Sequence, residues 1–308
     1  MSVASGFEEM RASLAPTASL LHELADFAMA LDHRHAHVPV VESRAMEELA
    51  REATDFSSKS IWTGPVTDTH ALAGILLLAS GDFARSYATL LVAERTPVYG
   101  HLSVVRSALE AGVVGEWLND PSIGVVERIR RGLAERYYSA REQMRFPATR
   151  EHGREQVVHI KSVATAYGWT ASGAKQRDAT INGSGRPSVP DSFSRLLVGD
   201  TEKEIGKALW SYLSGVSHSV WWALRQSITQ PPSYPEGSQA PRPAGFGTDG
   251  LQVGAQTICL SRILRSAVSA RMKLMGWPRD EWVDIEGRLQ KMEGSVIQAV
   301  VALQHSGD

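Results

Sequence analysis

YGHLSVVRSALEAGVVGEWLNDPSIGVVERIRRGLAERYYSAREQM, residues 99–144, decides the fold class. Wound at about 100° per residue, Leu102, Val105, Leu109, Val113 and Trp117 of its first half form one stripe. Val104, Ala108, Ala111, Gly115 and Leu118 cover the opposite side. A helix that is apolar on nearly every side is a central helix, and its small residues admit a close neighbour. Yet Arg106, Glu110 and Glu116 sit within it. A charge on a buried helix is costly unless it is paired and hydrogen-bonded. Each of the three therefore demands an internal salt bridge or a site. Arg106 and Glu110, four residues apart, are spaced to pair with each other.

Outward from this stretch the periodicity stays helical, and no alternating strand stands out. Helices are expected over Ala18–Leu31, Glu42–Asp55, Thr69–Ala93 and Val98–Leu118. Thr67 or Asp68 is placed to cap the third. Asp120 followed by Pro121 reads as the start of a fifth, reaching Met144. Further helices follow over Arg150–Tyr167, Thr201–Ile228, Leu251–Met275 and Asp280–Gln304. Trp169–Asp200 is rich in Gly, Ser and Pro and reads as a long loop with one short turn. Gln230–Gly250, with Tyr234 and Phe246 inside it, is dense in Pro and Gly and reads as a second. The expected fold is an all-α, multi-helix bundle of about eight helices with two long Gly/Pro-rich loops. It forms a single domain: N-terminal helices over 1–60, a central bundle over 61–228, a loop over 229–250 and a C-terminal pair over 251–308.

The totals narrow the classes. The chain has 308 residues, 43% apolar and 21% charged, an ordinary globular balance. A net charge of -2 gives no general attraction to nucleic acid or anionic membrane. The single cysteine, Cys259, builds neither an internal disulfide nor a thiolate metal site. The first residues carry Glu8 and Glu9 with no apolar run, unlike a signal peptide. The longest apolar run, Ala71–Ser80, is too short to span a membrane. A cytoplasmic location is expected.

SYLSGVSHSVWWALR, residues 211–225, is the second unusual stretch. Leu209, Leu213, Val216, Val220 and Leu224 make a core stripe, and His218 points away from it with Ser214, Trp221, Trp222 and Arg225. Two tryptophans on one side imply contact with a helix, a subunit or a ligand. His218 is the leading general-base candidate, because imidazole titrates near neutrality. In DHRHAH, Asp32 is followed by His33, His35 and His37, but no acidic partner has metal-ligand spacing, so no metal and no other cofactor is expected. No phosphate loop, nucleophile elbow, Glu-x-x-His or His-Glu-x-x-His motif occurs. Three Arg/His pairs have the spacing of HEPN-type ribonucleases: Arg95/His101, Arg145/His152 and Arg154/His159. Only the last sits in a plausible helix.

RSALEAGVVGEWLNDPSIGVVERIRRGL together with SYLSGVSHSVWWAL resembles a group of uncharacterised, all-helical actinobacterial proteins. The chain is loosely similar to a wider set of helical domains, some of them HEPN-like. The resemblance covers Ala71–Gln226 and is carried by Arg106, Glu110, Trp117, Pro121, Arg128, Arg131, Ser214 and His218. It implies a helical bundle and supplies no activity.

These observations point to a small-molecule pocket between the fourth and seventh helices. Arg106, Trp117, Ser214, Trp221 and Trp222 would hold the ligand, with His218 as base and Glu110 as acid or orienter. That demands that His218 and Glu110 converge. The rivals are a ribonuclease-like toxin or defence protein built on Arg154 and His159, and a non-catalytic homodimer that buries Trp221 and Trp222.

Overall fold

The computed structural model describes residues 3–56, 62, 64–94, 99–173, 175, 178–198, 203–225, 228–229, 245–246 and 250–305. Among them are eleven α-helices: α1 (Val3–Arg34), α2 (Arg44–Arg51), α3 (Pro65–Leu91), α4 (Gly100–Asn119), α5 (Val125–Gln143), α6 (Arg150–Ala166), α7 (Val189–Val198), α8 (Lys203–Ser217), α9 (Trp221–Leu224), α10 (Gly250–Met275) and α11 (Asp280–His305). Two-residue strands β1 (Ala171–Ser172), β2 (Thr180–Ile181) and β3 (Ser184–Gly185) form an antiparallel sheet in that order. Strand β4 (Ile228–Thr229) pairs antiparallel with β5 (Gly245–Phe246). The all-α class read from the sequence is the class observed, and no helix among the described residues is long and apolar enough to cross a membrane.

Helix α4 is the axis of the bundle, contacting α3, α10, α8, α7 and α5. Its stripe residues Leu102, Val105, Leu109 and Val113 are buried, and so are Ala108, Ala111, Gly115 and Leu118 on the other side. Small residues permit this crowding. A Cβ at Gly112 would lie 2.3 Å from Cγ2 of Ile263 on α10 and 2.9 Å from Oγ of Ser80 on α3. The Ser80 hydroxyl in turn donates to the Ala108 carbonyl at 2.9 Å. One apolar cluster joins α1, α3, α4, α8, α10 and α11. A second gathers Phe56, Trp62 and Val66 with α5, α6 and the small sheet.

Several boundaries differ from the sequence reading, each for a physical reason. Asp120 and Pro121 do not open α5. Asp120 Oδ1 instead accepts from the Ser122 N–H and hydroxyl, closing a local turn, and the helix starts after Gly124. Neither Thr67 nor Asp68 caps α3, which begins at Pro65. The Glu52 carboxylate accepts from the N–H groups of Val66 and Thr67 and satisfies that end from outside. Trp169–Asp200 is not all loop, because it holds the small sheet and α7. The α7 start was legible in Ser188-Val189-Pro190-Asp191, where the Ser188 hydroxyl accepts from the Asp191 N–H. The helix expected over Thr201–Ile228 is broken: α8 stops at Ser217, and Ser219 adopts a left-handed φ of 56°. At Gly215 a Cβ would lie 2.7 Å from that of Ala223, so the missing side chain lets α9 fold back on α8. Of the second Gly/Pro-rich loop, Tyr234 lies outside the described residues, and Phe246 belongs to β5.

Candidate functional site

The three charges of α4 turn to separate partners. The Arg106 guanidinium stacks over the Trp210 ring at 5.5 Å, its Nε buried without a hydrogen bond. Glu110 pairs with Arg186 at 3.2 Å rather than with Arg106. Glu116 accepts from the Ser266 hydroxyl at 2.6 Å. Arg186, just after β3, also reaches Glu135 at 3.1 Å and lies over the Tyr138 ring at 4.1 Å. Burial pushes the Glu135 carboxyl up to about 7, against the attraction of Arg186.

His218 and Glu110 are not brought together. His218 is exposed just past the end of α8, where its N–H donates to the Ser214 carbonyl at 3.0 Å. The adjacent Ser217 hydroxyl meets Ser103 at 3.3 Å, near the start of α4. Glu110 lies two turns further along α4, about 10 Å away along the axis at 1.5 Å per residue. Trp221 and Trp222 stand 68% and 46% exposed. Trp117 is half-buried under the Arg131 guanidinium, 5.2 Å from the ring centre, in a different cavity beside Asp120 and Arg195. Arg154 and His159 are both exposed on α6, five residues and hence about 140° apart, with Arg154 paired to Glu151 at 3.1 Å.

The geometry assembles a site elsewhere. A cavity of about 520 Å³ opens between the end of α1, the following turn, α2, α3 and the end of α10. Helix α3 supplies Thr67, His70, Ala71, Gly74, Ile75 and Leu78, a single stripe at three- and four-residue spacing. Helix α1 supplies Ala28, Met29, Asp32 and His33, and α10 supplies Arg271 and Met275. The walls are mainly apolar, and the polar groups gather on one side.

Asp32 and Arg271 form that polar side. The guanidinium holds the carboxylate in a fork, Nε to Oδ1 at 3.0 Å and Nη2 to Oδ2 at 2.6 Å. Its Nη1 donates to the His70 carbonyl and to Asn119 Oδ1, both at 3.2 Å. Gly74 makes room for the fork, since a Cβ there would lie 2.4 Å from Asp32 Oδ2. Behind it lies a second buried pair. Arg128, fully buried, donates through Nε to Glu48 Oε2 at 2.6 Å and to the Leu118 and Asp120 carbonyls. Burial works to raise the Glu48 pKa, but its contacts with His70 and Arg128 outweigh this and hold the carboxyl below its usual range.

His70 stands between the two pairs, 6% exposed, on the cavity wall. Its Nε2 lies 3.2 Å from Glu48 Oε2, and both ring nitrogens are buried away from the cavity space. Burial depresses its pKa, partly opposed by Glu48, so the ring is neutral near pH 7. The DHRHAH histidines divide: His33 and His37 line the cavity, while His35 stacks on Trp277 at 4.5 Å. Ala36 and His37, in left-handed backbone, turn the chain just after α1, and His37 and Pro39 of this turn join the lining. Among the described residues no three His, Cys, Asp or Glu side chains are placed to hold a metal ion.

Sequence reasoning missed His70, Glu48 and Arg271. The signal was present in the case of His70, a lone polar ring in the apolar run THALAGILLLA, and of Arg271 in AVSARMKLM. The logic applied to the charges of α4 applies equally to both. Comparison with family models, with curated proteins and with solved structures returns no match for this chain. The site's own chemistry is therefore the ground for a functional reading.

Proposed function

We propose that this chain binds a small, uncharged and largely apolar molecule in the cavity between α1, α3 and α10. The observation that carries the reading is the cavity itself, whose mainly apolar lining surrounds charged groups that already pair with one another. The exposed rings of His33 and His37 on the lining offer a hydrogen bond to a ligand hydroxyl or carbonyl. The ligand's lack of charge follows from its surroundings. Asp32 and Arg271 neutralise each other across the fork. Ala28, Met29, Ile75, Leu78 and Met275 offer an apolar wall to the rest of the molecule. A cavity of this size and lining suits a metabolite of modest mass. A cytoplasmic setting fits the reading, because the one thiol, Cys259, is buried and unpaired and calls for no oxidising compartment.

The test is a thermal-shift screen of apolar alcohols, ketones and sterol- or terpene-like compounds. Wild type is compared with Ala71→Trp, which fills the cavity from its exposed rim, and with His33→Ala, which removes a polar ring from the lining. A ligand at 100 times its Kd stabilises by about 2.7 kcal/mol. The expected result is a shift in wild type that disappears in Ala71→Trp and shrinks in His33→Ala. A library without a hit, or a hit that ignores Ala71→Trp, overturns the reading.

A further inference from the structure

The hairpin of α10 and α11 encloses a space of opposite character. A cavity of about 450 Å³ lies between these helices, lined by Arg262, Arg265, Ser269, Lys273, Arg279 and Glu286 among others. Four cations there face one lining carboxylate, in a chain whose net charge is -2. Helical spacing produces the cluster, because residues 262, 265, 269 and 273 recur every three to four positions along one side of α10.

The acidic groups within reach are already engaged. Glu293 meets Arg262 Nε at 3.2 Å and Arg265 Nη2 at 3.5 Å, and accepts from the Ser261 hydroxyl at 2.7 Å. Glu286 takes Arg279 Nη2 at 3.3 Å. Glu116 accepts from Ser266 at 2.6 Å and reaches Arg195 at 3.9 Å. Lys273 is exposed and has no ion-pair partner among the described residues. The Ser269 hydroxyl accepts from the Trp282 indole N–H at 3.0 Å and so keeps its own proton to donate. Four cations against the two carboxylates Glu286 and Glu293 leave the groove two positive charges in excess.

We propose that this α10–α11 groove binds a compact oxyanion of the phosphate class, either the free ion or the phosphoryl group of a small molecule. Two excess positive charges, the Lys273 ammonium and the Ser269 hydroxyl match an anion with several oxygens and two charges. A monocarboxylate, with one charge, would leave half of this excess unmet. The proposal is independent of the apolar cavity, which shares no lining residue with this groove and whose one arginine, Arg271, is paired with Asp32.

Calorimetric titration of the full chain with inorganic phosphate tests it, at fixed ionic strength and roughly pH 8, where phosphate is dianionic. Wild type is expected to bind at one saturable site. Lys273→Gln combined with Arg279→Gln is expected to weaken binding ~10-fold or more, as charge-assisted hydrogen bonds are lost. Arg265 is left intact in this variant because it also holds the buried Glu293. Arg145→Gln combined with Arg154→Gln removes the same charge from exposed pairs with Glu142 and Glu151, and should leave binding unchanged. No saturable binding by wild type overturns the proposal, and so does equal weakening in both double variants, which would reduce the effect to general electrostatics. Methyl phosphate separates the two sources of the group. Affinity equal to that of phosphate supports a phosphoryl group on a carrier molecule, and ~10-fold weaker binding supports the free ion.

Discussion

Replacing Gly74 by alanine isolates the packing of the Asp32–Arg271 fork. Alanine is the better helix former by about 1 kcal/mol, so in an open helix the change would stabilise. Here the new Cβ would stand 2.4 Å from Asp32 Oδ2 and 3.4 Å from Arg271 Nη2. The first distance is untenable and the second is ordinary contact, so the carboxylate must move and the fork must open. Breaking a buried pair outright costs about 3–5 kcal/mol. The Asp32 side chain is 17% exposed and can swing toward the cavity, which recovers part of this loss. The expected net destabilisation is about 1–3 kcal/mol, or a fall in Tm of roughly 2–5 °C for a chain of this length. Urea midpoints of four proteins measure it: wild type, Gly74→Ala, Asp32→Ala and the double variant. With Asp32 truncated nothing blocks the methyl group. Gly74→Ala should then be neutral or stabilising by up to about 1 kcal/mol, giving a coupling of about 1–4 kcal/mol. Destabilisation of equal size in both backgrounds would refute the assignment of the clash.

Two other groups make separable predictions. Arg128→Met takes from Glu48, 2% exposed, its closest cation and from the Leu118 and Asp120 carbonyls their donor, so it should cost about 3–5 kcal/mol. Calorimetry should show a Tm lowered by roughly 5–8 °C, against almost no change for Arg145→Gln, whose pair with Glu142 is on the surface. Glu135 predicts a pH dependence. Its folded pKa is raised from 4.5 to about 7, so the folded state holds the proton more tightly than the unfolded chain. The group's contribution is therefore fully present below about pH 4.5 and is lost as pH rises through 7, by at most about 3 kcal/mol. Urea midpoints of wild type minus Glu135→Gln should fall between pH 5 and pH 8; a difference constant across that range would show that burial does not govern this carboxyl.

The fold was legible where local pattern and burial agree. Residues 102–118 read as an all-round apolar helix because every face of α4 meets another helix. The same stretch announced that Arg106, Glu110 and Glu116 needed partners but could not name them. Trp210, Arg186 and Ser266 arrive from far along the chain, and Arg186 lies in a segment with no helical period of its own. The break after Ser217 was hidden for a related reason. SGVSHSVWW contains no proline, and the chain turns there because Gly215 lets α9 approach and because the Tyr99 hydroxyl holds the Leu224 carbonyl at 2.9 Å. Once the helix ends, His218, Trp221 and Trp222 no longer share the face that periodicity assigned to them. The expectation of an inter-helix pocket survives as a proposal in another place, because a cavity depends on how helices diverge, which no single helix records.

The Asp32–Arg271 fork also sets an order of events during synthesis. Its two halves are 239 residues apart, and other links between the same regions are as distant: Arg34 to Glu281, Arg288 to Glu23, and the Trp277 indole to the Val38 carbonyl. Helices α1 and α3 can pair early on the ribosome, before Arg271 is available to clamp Asp32. Until α10 emerges, the trough between them stays open and apolar, the kind of exposed surface that makes folding intermediates prone to aggregate. The cavity between α1, α3 and α10 is thus completed late, and a ribosome stalled before residue 271 would present a chain in which it lacks its α10 wall.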